Sequence, residues 1–373
     1  MEDRHKKKLE ELDRLIDLDK IRDVQSQIDK ALRFKETGEC QYYKRCSGGS
    51  AWSAYPNTEC RDNPEKDLMT TLGVIYGGFM SGLPTFCKVS SELGNWGIIH
   101  SLFGGNAVYH ENQAKWLEPI AGLSMDDFIA RGAPDIRGGI VPKLLERLEY
   151  MLEVLSRYEN LSRIPVSPIE VFGVHETACA LMEPSELIME MMLNEDKVTT
   201  FFDIILEATI QYNLMLEDHF KDEIKSGRVM TFSPWYSEYA EYRLVEDSAI
   251  LLSPDLYHLF CRKYNEILFD RFAPDGGAVH FCGNGSHLLD EVLATRGLRH
   301  FDPGQIELYD FDALYEKLKS AGVGMSFRTE KKDVSLAEIR NYIKRPGLVM
   351  SGFAALEDDG TEIKEFLASV RSK

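Results

Sequence analysis

The run Gly276-Gly277-Ala278-Val279-His280-Phe281-Cys282-Gly283-Asn284 is short and apolar, and it ends by presenting an imidazole and a thiol. Side chains of a β-strand alternate between its faces, so His280 and Cys282 share one side while Phe281 takes the other. Nitrogen and sulfur donors on one face, next to a glycine that lets a ligand come close, make half of a zinc site. The competing reading is a buried strand that happens to carry a histidine and a cysteine.

Such a strand needs neighbours to hold it. Short β-branched or aromatic runs predict strands at Gln41 to Lys44, Thr85 to Val89, Ile164 to Val171, Arg228 to Phe232, Gly277 to Cys282, Leu298 to Asp302, Val323 to Phe327 and Leu348 to Phe353. Helical periodicity lies between them, at Pro142 to Tyr158, Pro184 to Lys225, Pro254 to Phe272, Gly285 to Thr295, Phe311 to Ala321 and Ser335 to Arg345. Start signals accompany these stretches: Ser185 and Ser253 beside prolines, Asp310, and Ser335 with Glu338 three residues on. Strands separated by helices call for right-handed crossovers and a parallel sheet, so the expected fold is α/β, a (β/α)8 TIM barrel. A doubly wound open sheet is the alternative, without a Gly-x-Gly-x-x-Gly turn to support it.

Upstream, Leu9, Leu12, Ile16, Ile21, Val24, Ile28 and Leu32 recur at helical spacing, predicting one or two helices broken near Asp17 to Asp19. Residues 1–38 are thus read as an additional N-terminal helical extension, packed on the body or on a second subunit of a homodimer. Residues 39–373 are read as one barrel domain.

Barrel enzymes work at the C-terminal ends of their strands. Those ends hold His280, Cys282 and Asn284, Cys87 and Lys88, Glu170 with His175 and Glu176 beyond it, Ser233 to Tyr236, Asp302, Arg328 and Ser351. The aromatic loop from Ser233 to Tyr239 places Trp235 and Tyr236 either as the wall of a pocket for a planar or methylated ligand or as a cover for the barrel rim. His100 and His110 share no helix or strand period and read as surface or packing residues. Met189, Met191 and Met192 read as core fillers.

The 373 residues carry a formal charge of −18 and 44% hydrophobic residues, enough for a large core and too acidic for a nucleic-acid backbone as partner. No apolar run approaches a membrane span, and the N-terminus lacks the apolar core of a secretion signal, so a cytoplasmic location is expected. Seven cysteines without a Cys-x-x-Cys pair predict reduced thiols.

Glu246-Asp247-Ser248, then Leu252-Ser253-Pro254-Asp255-Leu256-Tyr257, Tyr264 and His280-Phe281-Cys282-Gly283-Asn284 resemble the C-terminal half of the uroporphyrinogen decarboxylase superfamily. Leu102-Phe103-Gly104 and Pro134-Asp135-Ile136-Arg137-Gly138-Gly139 followed by Glu146 resemble its divergent members, so the resemblance spans nearly everything after residue ~60, with only the Ser-Pro-x-x-Tyr and His-x-Cys-Gly-Asn segments sharp. It implies the same barrel and two chemistries, porphyrinogen decarboxylation and zinc-dependent methyl transfer with corrinoid proteins. The decarboxylases' Arg-Gln-Ala-Gly-Arg-Tyr stretch and second-strand aspartate are absent: the chain reads Tyr43-Lys44-Arg45-Cys46-Ser47-Gly48-Gly49 and Leu83-Pro84-Thr85-Phe86-Cys87-Lys88. A polyanionic tetrapyrrole would lack paired cations here, which favours the methyltransferase branch.

In that branch His-x-Cys and a cysteine after the last strand hold zinc, and this chain has no cysteine beyond Cys282. Three replacements can complete the site: Cys87, Glu170 or a carboxylate such as Asp247. Asp247 is alternatively a catalytic group orienting the substrate or His280, and Asn284, His175, Trp235 and Tyr236 are substrate-binding candidates. The expected function is methyl transfer between a corrinoid protein and a small acceptor. The alternatives are decarboxylation of a porphyrinogen-like or other carboxylic acid, and a metal-free binding or accessory subunit.

Overall fold

A computed structural model of the chain describes residues 1–35, 41–45, 55–81, 88–94, 96–111, 115–168, 171–230, 242–329, 342 and 345–353. Six parallel strands form its main sheet, in the spatial order Gln41–Arg45, Leu348–Phe353, Gly324–Thr329, Leu298–Pro303, Gly277–Phe281 and Tyr242–Val245. The strand Tyr242–Val245 is absent from the sequence-based expectation: Tyr-Arg-Leu-Val is only four residues long and carries a charge inside it. Isolated parallel bridges extend the order further. Phe172 pairs with Val245, and Val166 pairs with both Val229 and Val89. Val229 and Val245 thus each pair with the stretch from Val166 to Phe172.

Helices cover this sheet. The expected stretch from Pro184 to Lys225 is three helices, Pro184–Leu193, Glu195–His219 and Lys221–Lys225. Ser185 lies inside the first of them and does not cap it, whereas Ser253 and Asp310 accept the N–H groups of Leu256 (3.3 Å) and Ala313 (3.1 Å) as expected. Pro254 to Phe272 is helical but interrupted by a π turn, His258–Arg262, a feature frequent at functional sites. In Pro184–Leu193 the core face is Leu187 and Met191, and Met189 and Met192 point outward, which corrects their reading as core fillers. His100 is buried, and His110 is exposed.

The N-terminal helices are Asp3–Leu15 and Leu18–Leu32, broken where Asp17 accepts the Lys20 N–H at 3.0 Å. Val24, Ile28, Ala31 and Leu32 form a buried cluster with Val349 of the sheet, so this extension contributes to the core. His5, buried, lies 2.7 Å from the Tyr55 hydroxyl and pairs with Glu65. Among the described residues no helix is long and apolar enough to cross a membrane.

A charge network is buried where the helices Pro64–Ser81 and Val141–Leu155 meet. Asp67 pairs with Arg147 and accepts the Ser91 hydroxyl at 2.7 Å and the Glu92 N–H at 3.0 Å. Burial pushes Glu92 up to about 7, with Asp67 adding to the effect and Lys115 opposing it. The folded chain therefore binds this proton more tightly than the unfolded one, and stability falls as pH rises from the ordinary 4.5 through about 7. Glu92→Gln should remove that fall, gaining ~1–2 kcal/mol at pH ~8 and little at pH ~5 in urea unfolding. An equal effect at both pH values would show that the Glu92 charge is not responsible.

Candidate metal centre

The strand Gly277–Phe281 is buried along its whole length between two parallel neighbours. The register sets His280 opposite Val245 on one side and Asp302 on the other, so the residues following Val245 arrive beside the imidazole. Alternation holds as expected. Phe281 is fully buried, edge-on to Tyr257 and Phe301 at 6.0 and 5.7 Å, while His280 and Cys282 share the opposite side, with Nε2 3.4 Å from Sγ.

Nδ1 of His280 faces two acceptors, the Asp302 backbone oxygen at 2.8 Å and its Oδ2 at 3.1 Å. That assigns the proton to Nδ1 and leaves Nε2 as a free lone pair. Arg243 fixes the carboxylate in turn, donating to Asp302 Oδ2 from Nε at 2.9 Å and from a terminal nitrogen at 2.8 Å. Burial opposes the charge of Asp302, but His280 and Arg243 outweigh it and hold the carboxyl well below the ordinary range.

Nε2 looks toward Asp247, whose Oδ1 lies 3.5 Å away and accepts the Cys282 backbone N–H at 2.7 Å. Asp247 opens the short helix Asp247–Leu251, held by Glu176, which accepts the Ser248 N–H at 2.7 Å and its hydroxyl at 3.1 Å. Burial, with the Asp247 charge adding to it, pushes Glu176 up to about 7. Gly304 lets the group close up: a Cβ there would lie 3.1 Å from His280 Cε1 and 3.2 Å from the Cys282 sulfur.

Asp247, His280 and Cys282 therefore offer oxygen, nitrogen and sulfur donors within 4.8 Å of one another. The set suits zinc, which takes carboxylate, imidazole and thiolate together, and a carboxylate-backed histidine is its usual supporting arrangement. The Asp247 side chain is 36% exposed and His280 8%, so the centre opens to solvent on the aspartate side, where a fourth position can face a substrate. Asp302→Asn removes the charge behind His280 and should weaken zinc affinity 10- to 100-fold, read by competition with a chromophoric chelator. Unchanged affinity would show that Asp302 does not support the imidazole.

Other expected site residues are placed elsewhere. Asn284 is exposed, with its Nδ2 donating to Leu308 O at 2.9 Å and its Oδ1 accepting the Ser286 N–H at 3.0 Å. His175 is fully buried beside Glu246 and Cys179, not at a solvent-facing mouth. Cys87, Glu170, Trp235 and Tyr236 lie outside the described residues. Glu176 was among the strand-end candidates, whereas Arg243 and Gly304 were not anticipated as parts of the centre. Arg243, a charge inside an apolar strand, is the one visible hint in the sequence.

No family model matches the chain, and no curated protein matches it. Among solved structures it is similar to a methyltransferase from Methanosarcina mazei, with a TM-score of 0.61 over 94% of this chain and 98% of that one, at 15% identity. The likeness is one of fold: a mixed α/β chain with a parallel sheet, shared along almost the whole length of both proteins.

Proposed function

We propose that the chain is a zinc-dependent methyltransferase that moves a methyl group between a corrinoid protein and a small acceptor, on a (β/α)8 barrel of the uroporphyrinogen decarboxylase type. The observation that carries this reading is the convergence of Asp247 with His280 and Cys282, which supplies a third donor where the sequence lacks a late cysteine. A parallel sheet of six strands, with parallel bridges running on through Val166 to Val89, is in keeping with such a barrel. The fold shared with a methyltransferase is in keeping with the same class.

Zinc held by these residues would act as a Lewis acid with an open position, lowering the pKa of an acceptor heteroatom such as a thiol. The rest belongs to the chain. Asp302 and Arg243 keep the proton on Nδ1, so that Nε2 remains a donor atom. The Cys282 N–H holds one lobe of Asp247 in place, and Glu176 anchors the segment that carries it. Trp235 and Tyr236 belong to this proposal as walls of the acceptor pocket.

The test is methyl transfer from methylcobalamin to a panel of small thiols, followed by the visible absorbance of the corrinoid. Zinc-loaded protein should turn over and chelator-treated protein should not. Turnover that persists after zinc removal, or carbon dioxide release from a porphyrinogen in place of methyl transfer, would overturn the reading.

A further inference from the structure

Next to the proposed centre lies a second donor group that the methyl-transfer reading does not use. Glu246 immediately precedes Asp247 but turns the other way. It is fully buried, and among the described residues neither carboxylate oxygen has a hydrogen-bond partner. His175 Nδ1, equally buried and equally unpartnered, lies 3.6 Å from Glu246 Oε2. Cys261, fully buried on the π turn His258–Arg262, completes a set whose donor atoms lie within 4.8 Å of one another. The other histidine nitrogen, Nε2, lies 3.5 Å from the Cys179 sulfur one helical turn on, which leaves Nδ1 for Glu246. A Cβ at Gly173 would fall 1.9 Å from Glu246 Oε1, so the backbone itself makes room for the carboxylate.

An ionised carboxylate sealed from water without a hydrogen-bond donor is unfavourable by several kcal/mol, and an imidazole at 3.6 Å offsets that only in part. A divalent cation offsets it. Imidazole nitrogen, thiolate sulfur and a carboxylate oxygen are three donors of the types zinc accepts, and the second oxygen of the same carboxylate can supply a fourth in this buried site. We propose that His175, Glu246 and Cys261 bind a second divalent cation of the zinc class, a structural ion that ties the helix Val174–Leu181 and the π turn to the end of the strand Tyr242–Val245. Glu246 and Asp247 would then serve two metal positions from adjacent residues, and the Glu246 N–H, which donates to His280 O at 2.9 Å, couples the two. The inference stands whether or not the outer centre transfers methyl groups.

The test is metal analysis of the full chain purified without chelator. The double variant His280→Ala/Cys282→Ala, which dismantles the outer centre, should still carry about one zinc per chain, and adding Cys261→Ser should remove it. Cobalt(II) exchanged into the double variant should show a sulfur charge-transfer band, a readout that does not require the triple variant to fold. A double variant without tightly held metal and without such a band would overturn the proposal. A failure of the outer centre alone would instead show as equal metal content in the wild type and the double variant.

Discussion

His280→Ala should lower zinc-dependent methyl transfer to the thiol acceptor by about three orders of magnitude or more. Lewis-acid stabilisation by a bound metal is worth several kcal/mol, and each ~1.4 kcal/mol is a factor of ten in rate. The imidazole is backed by Asp302 and, behind it, Arg243, so its removal also takes one partner from the buried Asp302 carboxylate. The loss should fall on kcat/KM, with Cys282→Ala close behind and Asp247→Asn milder, since an amide oxygen still accepts the Cys282 N–H. Retention of more than about a tenth of the wild-type rate by His280→Ala would place the chemistry elsewhere.

The second large effect is on stability. Arg147→Met should destabilise the fold by about 3–5 kcal/mol, because it leaves the Asp67 carboxylate buried and uncompensated. Both side chains are 3% exposed, and Arg147 also donates to the backbone oxygens of Cys60 at 2.8 Å and Arg61 at 3.0 Å, holding the helix Asn57–Asp62 against the rest. Burial raises the Asp67 pKa, so the single variant partly recovers by protonation, and its deficit should shrink as pH falls. The double variant Arg147→Met/Asp67→Leu should recover much of the loss, since an apolar pair of similar volume escapes the desolvation penalty. Chemical denaturation across pH measures both, and an Arg147→Met variant within ~1 kcal/mol of wild type would contradict the argument.

Much of the centre could be read from residue order alone, and the rest could not for definite reasons. Strand phase put His280 and Cys282 on one face, because period-two alternation needs no knowledge of neighbours. Asp247 was one of three candidates for the third donor and its Oδ1 lies 3.5 Å from His280 Nε2, while the other two, Cys87 and Glu170, lie outside the described residues. Asp302 was visible as a strand end, but its hydrogen bond to Nδ1 depends on the register between Gly277–Phe281 and Leu298–Pro303, which a single sequence does not encode locally. The buried group of His175, Glu246 and Cys261 draws on three elements spread over 87 residue positions, and only tertiary packing unites them. The strand Tyr242–Val245, which carries Arg243 and leads into both Glu246 and Asp247, was too short and too interrupted by charge to signal itself. The expected helix starts at Pro184, Pro254 and Phe311 are all met, but Ser253 and Asp310 cap theirs with a side chain whereas Ser185 does not.

The central question is whether Asp247, His280 and Cys282 hold zinc. Zinc per chain, measured on wild-type protein and on Cys282→Ala purified side by side without chelator, decides it. The variant should carry about one zinc fewer per chain than the wild type. Equal zinc content in the two proteins would contradict it.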